Sequence, residues 1–399
     1  MRRLLILAST MVFFDVAFYA AIAPLLPDYV ARFDLSKAQA GVLAASYAAG
    51  TLLSSLPAGL LATRIGPRRT AIAGLLLLGL ASLVFGFGGS IGVLDAARFA
   101  QGISGALIWA GSLTWLIASA DPERRGAAIG TALGTAIAGA LIGPLLGAVA
   151  AAAGTKLVFG AVLGVALLLA TLAARQPESV LPGRQPLRDV AATLLSRPLL
   201  SAAAFVAVPS LMFGAVEVLV PLRIAELGGG HALIAAGFIV GAALEGALAP
   251  IAGRYSDRAG RRAPFVAGIG ICAGAMLGIG FAQALGSVLL ALILGSLGAG
   301  ICFAPAMTML SEAAESSSLH QGFAAGLSNM AWSSGQVAGA LAGGALAGAA
   351  GYAAPSLAVA ALLVLTAVYA HRFLTLPAMR LPRPRPALAQ SAAGPAARR

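Results

Sequence analysis

The chain has 399 residues, 59% of them hydrophobic and 10% charged, with a formal net charge of +12. A mean hydropathy of +0.93 excludes a soluble globular domain, which needs far more polar surface. The excess charge does not point to nucleic acid, because Lys and Arg form short clusters between apolar runs rather than one basic face.

Bilayer hydrocarbon is about 30 Å thick and takes about 20 helical residues to cross. Runs of that length are predicted at 4–26, 38–62, 70–88, 91–119, 127–152 and 157–173. They recur at 199–221, 233–253, 264–283, 286–310, 322–348 and 356–374. The first run follows Arg2-Arg3 and is too long for a cleaved signal, so it reads as a spanning helix. Between the sixth and seventh runs lies the only long polar linker, 174–198, with Pro177, Pro182, Gly183 and Pro186. The expected fold class is an all-α membrane protein with 12 transmembrane helices in two pseudo-symmetric six-helix bundles. The expected domains are 1–173 and 199–376, a cytoplasmic linker at 174–198, and a disordered basic cytoplasmic tail at 377–399, whose charges can meet anionic lipid.

The halves repeat each other. Gly59-Leu-Leu-Ala-Thr63-Arg64-Ile-Gly66-Pro67-Arg68 is echoed 194 residues later by Gly253-Arg-Tyr-Ser-Asp257-Arg258-Ala-Gly260-Arg261-Arg262. Pro27 and Pro221, read as the ends of the first and seventh runs, are also 194 apart. Gly139, Gly143 and Gly147 match Gly335, Gly339 and Gly343 at an offset of 196. A membrane chain that repeats near its half-length is expected to be a two-domain transporter.

Orientation follows from the basic residues. With both termini inside, only Arg32, Lys37, Lys156, Arg223 and the intramembrane Arg98 of the 26 Lys and Arg fall elsewhere than on the inner side. The expected location is a bacterial-type inner (plasma) membrane, with N- and C-termini cytoplasmic. Cys272 and Cys302 lie in apolar runs without metal-ligand spacing and read as packing residues. His231, His320 and His371 fall at loops or span ends, again without metal spacing, and no nucleophile or nucleotide motif is present. No metal, cofactor or enzymatic activity is expected.

The basic turns resemble the Gly-x-x-x-Asp-Arg-x-Gly-Arg-Arg loop motif of the major facilitator superfamily. The resemblance covers essentially the whole chain. The second copy (Gly253, Asp257, Arg258, Gly260, Arg261, Arg262) matches at every position. The first (Gly59, Arg64, Gly66, Arg68) has Thr63 in the Asp place and Pro67 in the first Arg place. In the family this Asp caps a helix of the other half and holds the inner side closed. The resemblance thus implies an inner lock that depends on Asp257 alone.

The fourth run contains Arg98-Phe-Ala-Gln101-Gly102, similar to the family's Arg-x-x-Gln-Gly motif in proton-coupled members. An Arg inside a span costs about 2.5–3.5 kcal/mol on insertion scales and must face a cavity or a partner. Arg98, Gln101, Gly105, Trp109 and Ser112 fall on one helical face. Two readings stay open: a fixed cation acting on a nearby carboxyl, or a structural pair with Asp95. In the fifth run Gly130, Gly139, Gly143, Pro144 and Gly147 match the family's antiporter motif. Glycines at steps of four make a smooth groove, expected to pack on the other half as it rocks. Within the family this motif favours exporters.

Asp15, Glu217 and Glu245 lie within runs and are costly there, which makes each a functional candidate. Removal from water disfavours an ionised carboxylate, the physical basis for proton exchange. The spacing of Asp15 to Pro24-Leu25-Leu26-Pro27, and of Glu217 to Pro221, resembles vesicular monoamine transporters and bacterial drug–proton antiporters. Those relatives also carry acids in spans 10 and 11, which this chain lacks there, so amine specificity does not carry over. Phe13, Phe14, Phe18, Tyr19, Trp109, Phe213, Phe303 and Trp332 are candidates to line an apolar cavity suited to a cationic ligand.

These features together imply proton-coupled efflux of small apolar or cationic compounds by alternating access, with the proton gradient as energy source. Asp15 is the first candidate for coupling, with Arg98 acting on it. The alternatives are export or import of a sugar, amino acid or other metabolite, and, remotely, a non-transporting membrane protein or enzyme. The partners implied are a small-molecule substrate, protons and lipid. The resemblance implies a monomer.

Overall fold

The computed structural model describes residues 2–120, 125–178, 196–317 and 321–373. The described chain is helical throughout, as it must be where no water is available to satisfy exposed backbone groups. The first half comprises α1 (Arg2–Ala20), α2 (Ile22–Phe33), α3 (Lys37–Arg64), α4 (Pro67–Phe87), α5 (Ile91–Ser119), α6 (Arg125–Ala153) and α7 (Thr155–Ala174). The second comprises α8 (Arg197–Glu226), α9 (His231–Ala259), α10 (Arg262–Phe281), α11 (Leu285–Ser316), α12 (Gln321–Ala350) and α13 (Ala353–Phe373).

Local sequence explains the boundaries. Ser36 and Gln39 form a reciprocal capping box at the start of α3. Pro67 opens α4 at a position whose N–H needs no partner. Gly66 and Gly260, the paired glycines of the two basic turns, both take positive φ, 97° and 90°. That conformation is strained for any residue with a side chain, so the turn geometry repeats as well as its sequence.

Two boundaries differ from expectation. The first span is two helices, broken at Ala21, and Pro27 lies inside α2 rather than ending it. Pro221 likewise lies inside α8, which runs on to Glu226. Eleven segments of the described residues are long and apolar enough to cross a membrane. Helix α12 is 30 residues long but is not among those eleven. Its glycines and polar residues serve packing, because it lies between α3 and α8. The expected linker is described only at 174–178 and 196–198, and the expected tail lies outside the described residues.

Within the first half α5 packs on α3 and α4, α1 on α6, and α4 on α7. The second half repeats this, with α11 on α9 and α10, α8 on α12, and α10 on α13. The broadest seams between the halves are α3 with α12 and α6 with α9. The glycine groove of α6 does not face the other half as expected. A Cβ on Gly139 would lie 2.6 Å from the carbonyl oxygen of Phe13, and one on Gly143 2.6 Å from that of Ala17. Gly147 meets Ala21 in the same way, whereas Gly130 has no such neighbour. The groove therefore seats α1 of its own half, and Gly335, Gly339 and Gly343 seat α8 equivalently. Small residues let two backbones touch, and that contact fixes the inside of each half.

Candidate functional site

The basic turns mark one face of the bundle, here the basic face. Each is fastened within its own half. Arg68 donates from Nε to Glu178 at 3.1 Å and from Nη1 to the carbonyl of Gln176 at 2.5 Å, just beyond α7. Arg262, its repeat equivalent, meets His371 near the end of α13 at 2.6 Å, and Arg261 pairs with Glu312 of α11. Arg64 and Arg258 are exposed, Gly59 is buried in α3, and Gly253 lies in the last turns of α9. Asp257 is exposed, and no hydrogen bond or ion pair joins it to another described residue. Among the described residues, the lock implied by the motif makes no contact.

At the opposite face the halves are joined. Lys37 of α3 pairs with Glu226 of α8 at 2.8 Å and lies 4.0 Å over the ring of Tyr352. His231 of α9 meets Asp28 of α2 at 2.7 Å. Between the faces, where α1, α2, α6, α8, α9, α10 and α11 converge, is a cavity of about 150 Å³. Its wall is apolar apart from Tyr19, Glu217, Glu245 and Ser296.

Asp15 lies behind that wall, fully buried. Its carboxylate accepts from the Tyr47 hydroxyl at 3.0 Å and from Trp109 Nε1 at 3.2 Å. Gly105 of α5 passes beneath it, and a Cβ there would come 2.9 Å from Oδ1. The Tyr47 ring packs against Tyr19, centroids 4.8 Å apart and planes tilted by 42°. Tyr19 is the junction of the two halves. Its hydroxyl donates to Glu217 Oε2 at 3.0 Å and accepts from Gln336 Nε2 at 2.8 Å. Its ring also meets Trp332 at 5.5 Å.

Arg98 is 1% exposed and stands beside this junction. It does not pair with Asp95, and no ion pair joins it to any described acid. Its Nη1 donates to the carbonyl of Phe18 at 3.3 Å and to Gln101 Oε1 at 3.1 Å, and its Nη2 to the carbonyl of Tyr19 at 3.3 Å. The guanidinium lies 5.1 Å from the Tyr47 ring centroid. The break after Ala20 explains this arrangement. Carbonyls in the last turn of a helix lack intrahelical partners, and inside a membrane a cationic donor is a strong way to satisfy them. Gln101 passes the chain on to Ser82 at 3.0 Å.

The structure thus brings Asp15, Arg98, Gln101, Glu217, Tyr19 and Trp109 into one network, with Glu245 across the cavity. Of the aromatic candidates, only Tyr19 and Phe213 line the cavity. Phe14 packs on Phe13 and Phe18, Phe18 also on Phe159, Phe303 on Phe213, and Trp332 on Tyr19. These five, with Trp109, lie outside the lining, because helical periodicity alone does not separate a cavity wall from the layer behind it. Sequence reasoning missed Tyr47, Gln336 and Phe238. Tyr47 and Gln336 belong to no motif, and Phe238 lines the cavity from α9, one and two turns before Ala242 and Glu245.

Comparison with known proteins accords with this architecture. The Major Facilitator Superfamily model matches residues 6–319 and again 225–398. The MFS-type transporter ppzB of Metarhizium majus is 33% identical over 124 residues, 30% of this chain and 27% of that protein. Quinolone resistance protein NorA of Staphylococcus aureus is 29% identical over 106 residues, 27% of each chain. The chain thus aligns with less than a third of the length of these curated relatives. Two solved structures share the fold at 15% identity. A bacterial homolog of the human lysosomal transporter Spinster, inward-facing and unoccupied, has a TM-score of 0.71 over 93% of this chain and 95% of its own. The human organic anion transporter MFSD10 has a TM-score of 0.70 over 92% and 99%. Repeated halves, paired basic turns and a family match along nearly the whole length make this chain a member of the Major Facilitator Superfamily.

Proposed function

We propose that this transporter exchanges protons for small apolar or cationic compounds and exports them, drawing on the proton gradient and no cofactor. The observation that carries the reading is the Tyr19–Glu217 bond, which ties a cavity carboxyl of one half to the network of Asp15 in the other. The NorA relative, by its name a quinolone resistance protein, supports export of drug-like molecules. The organic-anion name of MFSD10 does not transfer, because the described cavity wall carries two acids and no base.

In this reading the basic face is cytoplasmic, in a bacterial-type plasma membrane, and the chain works as a monomer in lipid. The Lys37–Glu226 and His231–Asp28 pairs close the outside. A carboxyl that takes up a proton outside releases substrate, and one that gives it up inside admits the next. Asp15 is the first coupling candidate. As drawn, its two donors suit the ionised form, which only accepts hydrogen bonds. Protonation forces one of those bonds to reorganise beside the Tyr47–Tyr19 ring contact.

The test is a substrate panel in everted vesicles, scored by proton release on addition. An exchanger releases protons with its substrates, and collapse of the gradient abolishes accumulation. Substrate movement indifferent to the gradient overturns the reading.

A further inference from the structure

Three acids serve the site, and they are not equivalent. Asp15 is held by two donors and is shut off from the cavity. Glu217 faces the cavity but is held by Tyr19. Glu245 faces the cavity, and no hydrogen bond or ion pair joins it to another described residue.

The backbone that carries Glu245 is fixed all the same. Gly300 of α11 lies against it so closely that a Cβ there would stand 2.9 Å from the Glu245 carbonyl oxygen and 3.0 Å from its Cα. One turn earlier, Gly241 abuts Ser296. The helix is pinned while the carboxyl has no partner among the described residues. Glu245 is only half-buried, its carboxyl open to the cavity, whereas a carboxyl kept for structure is buried against a donor, because an unsatisfied one is costly. A carboxyl held ready on a rigid helix and left unsatisfied awaits a partner from outside the protein.

The wall identifies that partner. Phe213, Phe238 and Tyr19 supply aromatic rings to the lining, and Met212 and Ile279 supply apolar surface. No Lys, Arg or His lines the described cavity, so nothing in the wall supplies the counter-charge. A monovalent cation spread over an apolar, aromatic body satisfies the carboxylate, stacks on the rings and buries its remaining surface.

We propose that Glu245 is the charge filter of the cavity: it selects lipophilic monocations over neutral molecules of the same shape, and proton exchange belongs to Asp15 and Glu217. This rests on the exchange reading for the division of labour. The selection itself is a binding property and is tested apart from it.

The probes are tetraphenylphosphonium, a permanent cation, and triphenylphosphine oxide, a neutral relative. Binding to the purified full chain in detergent is followed by tryptophan quenching. The chain is expected to bind the cation, and Glu245→Gln to weaken it at least about tenfold. The oxide should change less than about twofold, and the thermal midpoint of the variant should match the parent, since the carboxyl holds no other group. Glu245→Asp, which keeps the charge, should keep part of the cation preference. Equal cation binding by Glu245→Gln overturns the assignment, as does equal loss of both probes. A parent chain that binds neither probe overturns it together with the cationic substrate class. Intact selection by Glu245 with no proton release in vesicles would instead keep the filter and remove the exchange.

Discussion

The hydroxyl of Tyr19 donates to Glu217 Oε2 at 3.0 Å across 198 residues of sequence, joining the last turn of α1 to the middle of α8. The same oxygen accepts from Gln336 of α12 at 2.8 Å. One phenol therefore links three helices, two of them in the opposite half. Tyr19→Phe keeps the ring on Tyr47 and Trp332 and deletes only that link. Hydrogen bonds to charged groups contribute about 1.5–3 kcal/mol, so proton-driven accumulation in proteoliposomes should fall about tenfold or more. Substrate counterflow without a gradient should be spared. Equal loss of both would mean that Tyr19 serves binding rather than coupling.

Arg98 is the group that closes the broken first span. Replacing it with Met leaves the carbonyls of Phe18 and Tyr19 and the amide oxygen of Gln101 without their donor. Each orphaned buried group costs about 1–3 kcal/mol. The thermal midpoint in detergent should fall by several degrees at least. Arg98→Lys should recover part of this, since one ammonium cannot reach all three acceptors as a planar fork does. An Asp95→Asn variant should leave the midpoint where it was, because Asp95 does not pair with Arg98.

The seat of α1 on α6 can be tested with two glycines. Gly143→Ala places a methyl 2.6 Å from the Ala17 carbonyl oxygen. Backbone cannot yield as a flexible side chain does, and such overpacking costs about 1–3 kcal/mol. Gly164 of α7 has nothing within 4 Å of its added Cβ, so Gly164→Ala should be neutral or mildly stabilising, as Ala favours helix. If both variants melt alike, the close approach of α1 and α6 contributes nothing to stability.

The opposite-face pair Lys37–Glu226 is exposed at 29% and 41% of its side chains. Such a pair contributes about 0–1 kcal/mol, enough to bias a conformational equilibrium up to about fivefold. With both native cysteines replaced by Ala and a cysteine placed at Ala23, an impermeant maleimide added at the opposite face reports opening. Lys37→Met and Glu226→Gln should each raise labelling a few-fold. The charge swap Lys37→Glu with Glu226→Lys should restore it. No change in any of the three removes the pair from the gate.

How much of this the sequence disclosed depends on range. The repeat, the spans and the Arg98 face are local patterns, fixed by periodicities of three to four residues and by an offset of 194. The repeat and the Arg98 face are seen in the helices and in the matched glycine turns at Gly66 and Gly260, and eleven segments of the described residues are long and apolar enough to span. The network is not local. Tyr47 reaches Asp15 across 32 residues and Gln336 reaches Tyr19 across 317. Neither residue belongs to a motif, and no spacing rule links them. The break at Ala21 was hidden because Pro27, the obvious breaker, is accommodated inside α2. The glycine spacing marks a groove but says only that a helix docks there and not which one, and the helix it takes is α1 rather than one of the other half.

Asp257 separates stability from switching. It is exposed and holds no described residue in this conformation, so Asp257→Asn removes no contact among the described residues. A side chain shifts an equilibrium only through a difference between two states. If Asp257 caps a helix of the first half when the basic face closes, its loss destabilises that closed state alone. The N-terminal dipole makes such a contact worth about 0.3–1 kcal/mol at a surface, a shift of up to about fivefold. Asp257→Asn should therefore leave the thermal midpoint unchanged and raise labelling of a cavity cysteine from the basic face. Thr63→Asp, which restores the missing carboxylate in the first copy, should shift labelling in the opposite direction. Unchanged accessibility in both variants would show that the basic turns are fastened only within their own halves, through Arg68–Glu178 and Arg262–His371, and take no part in the gate.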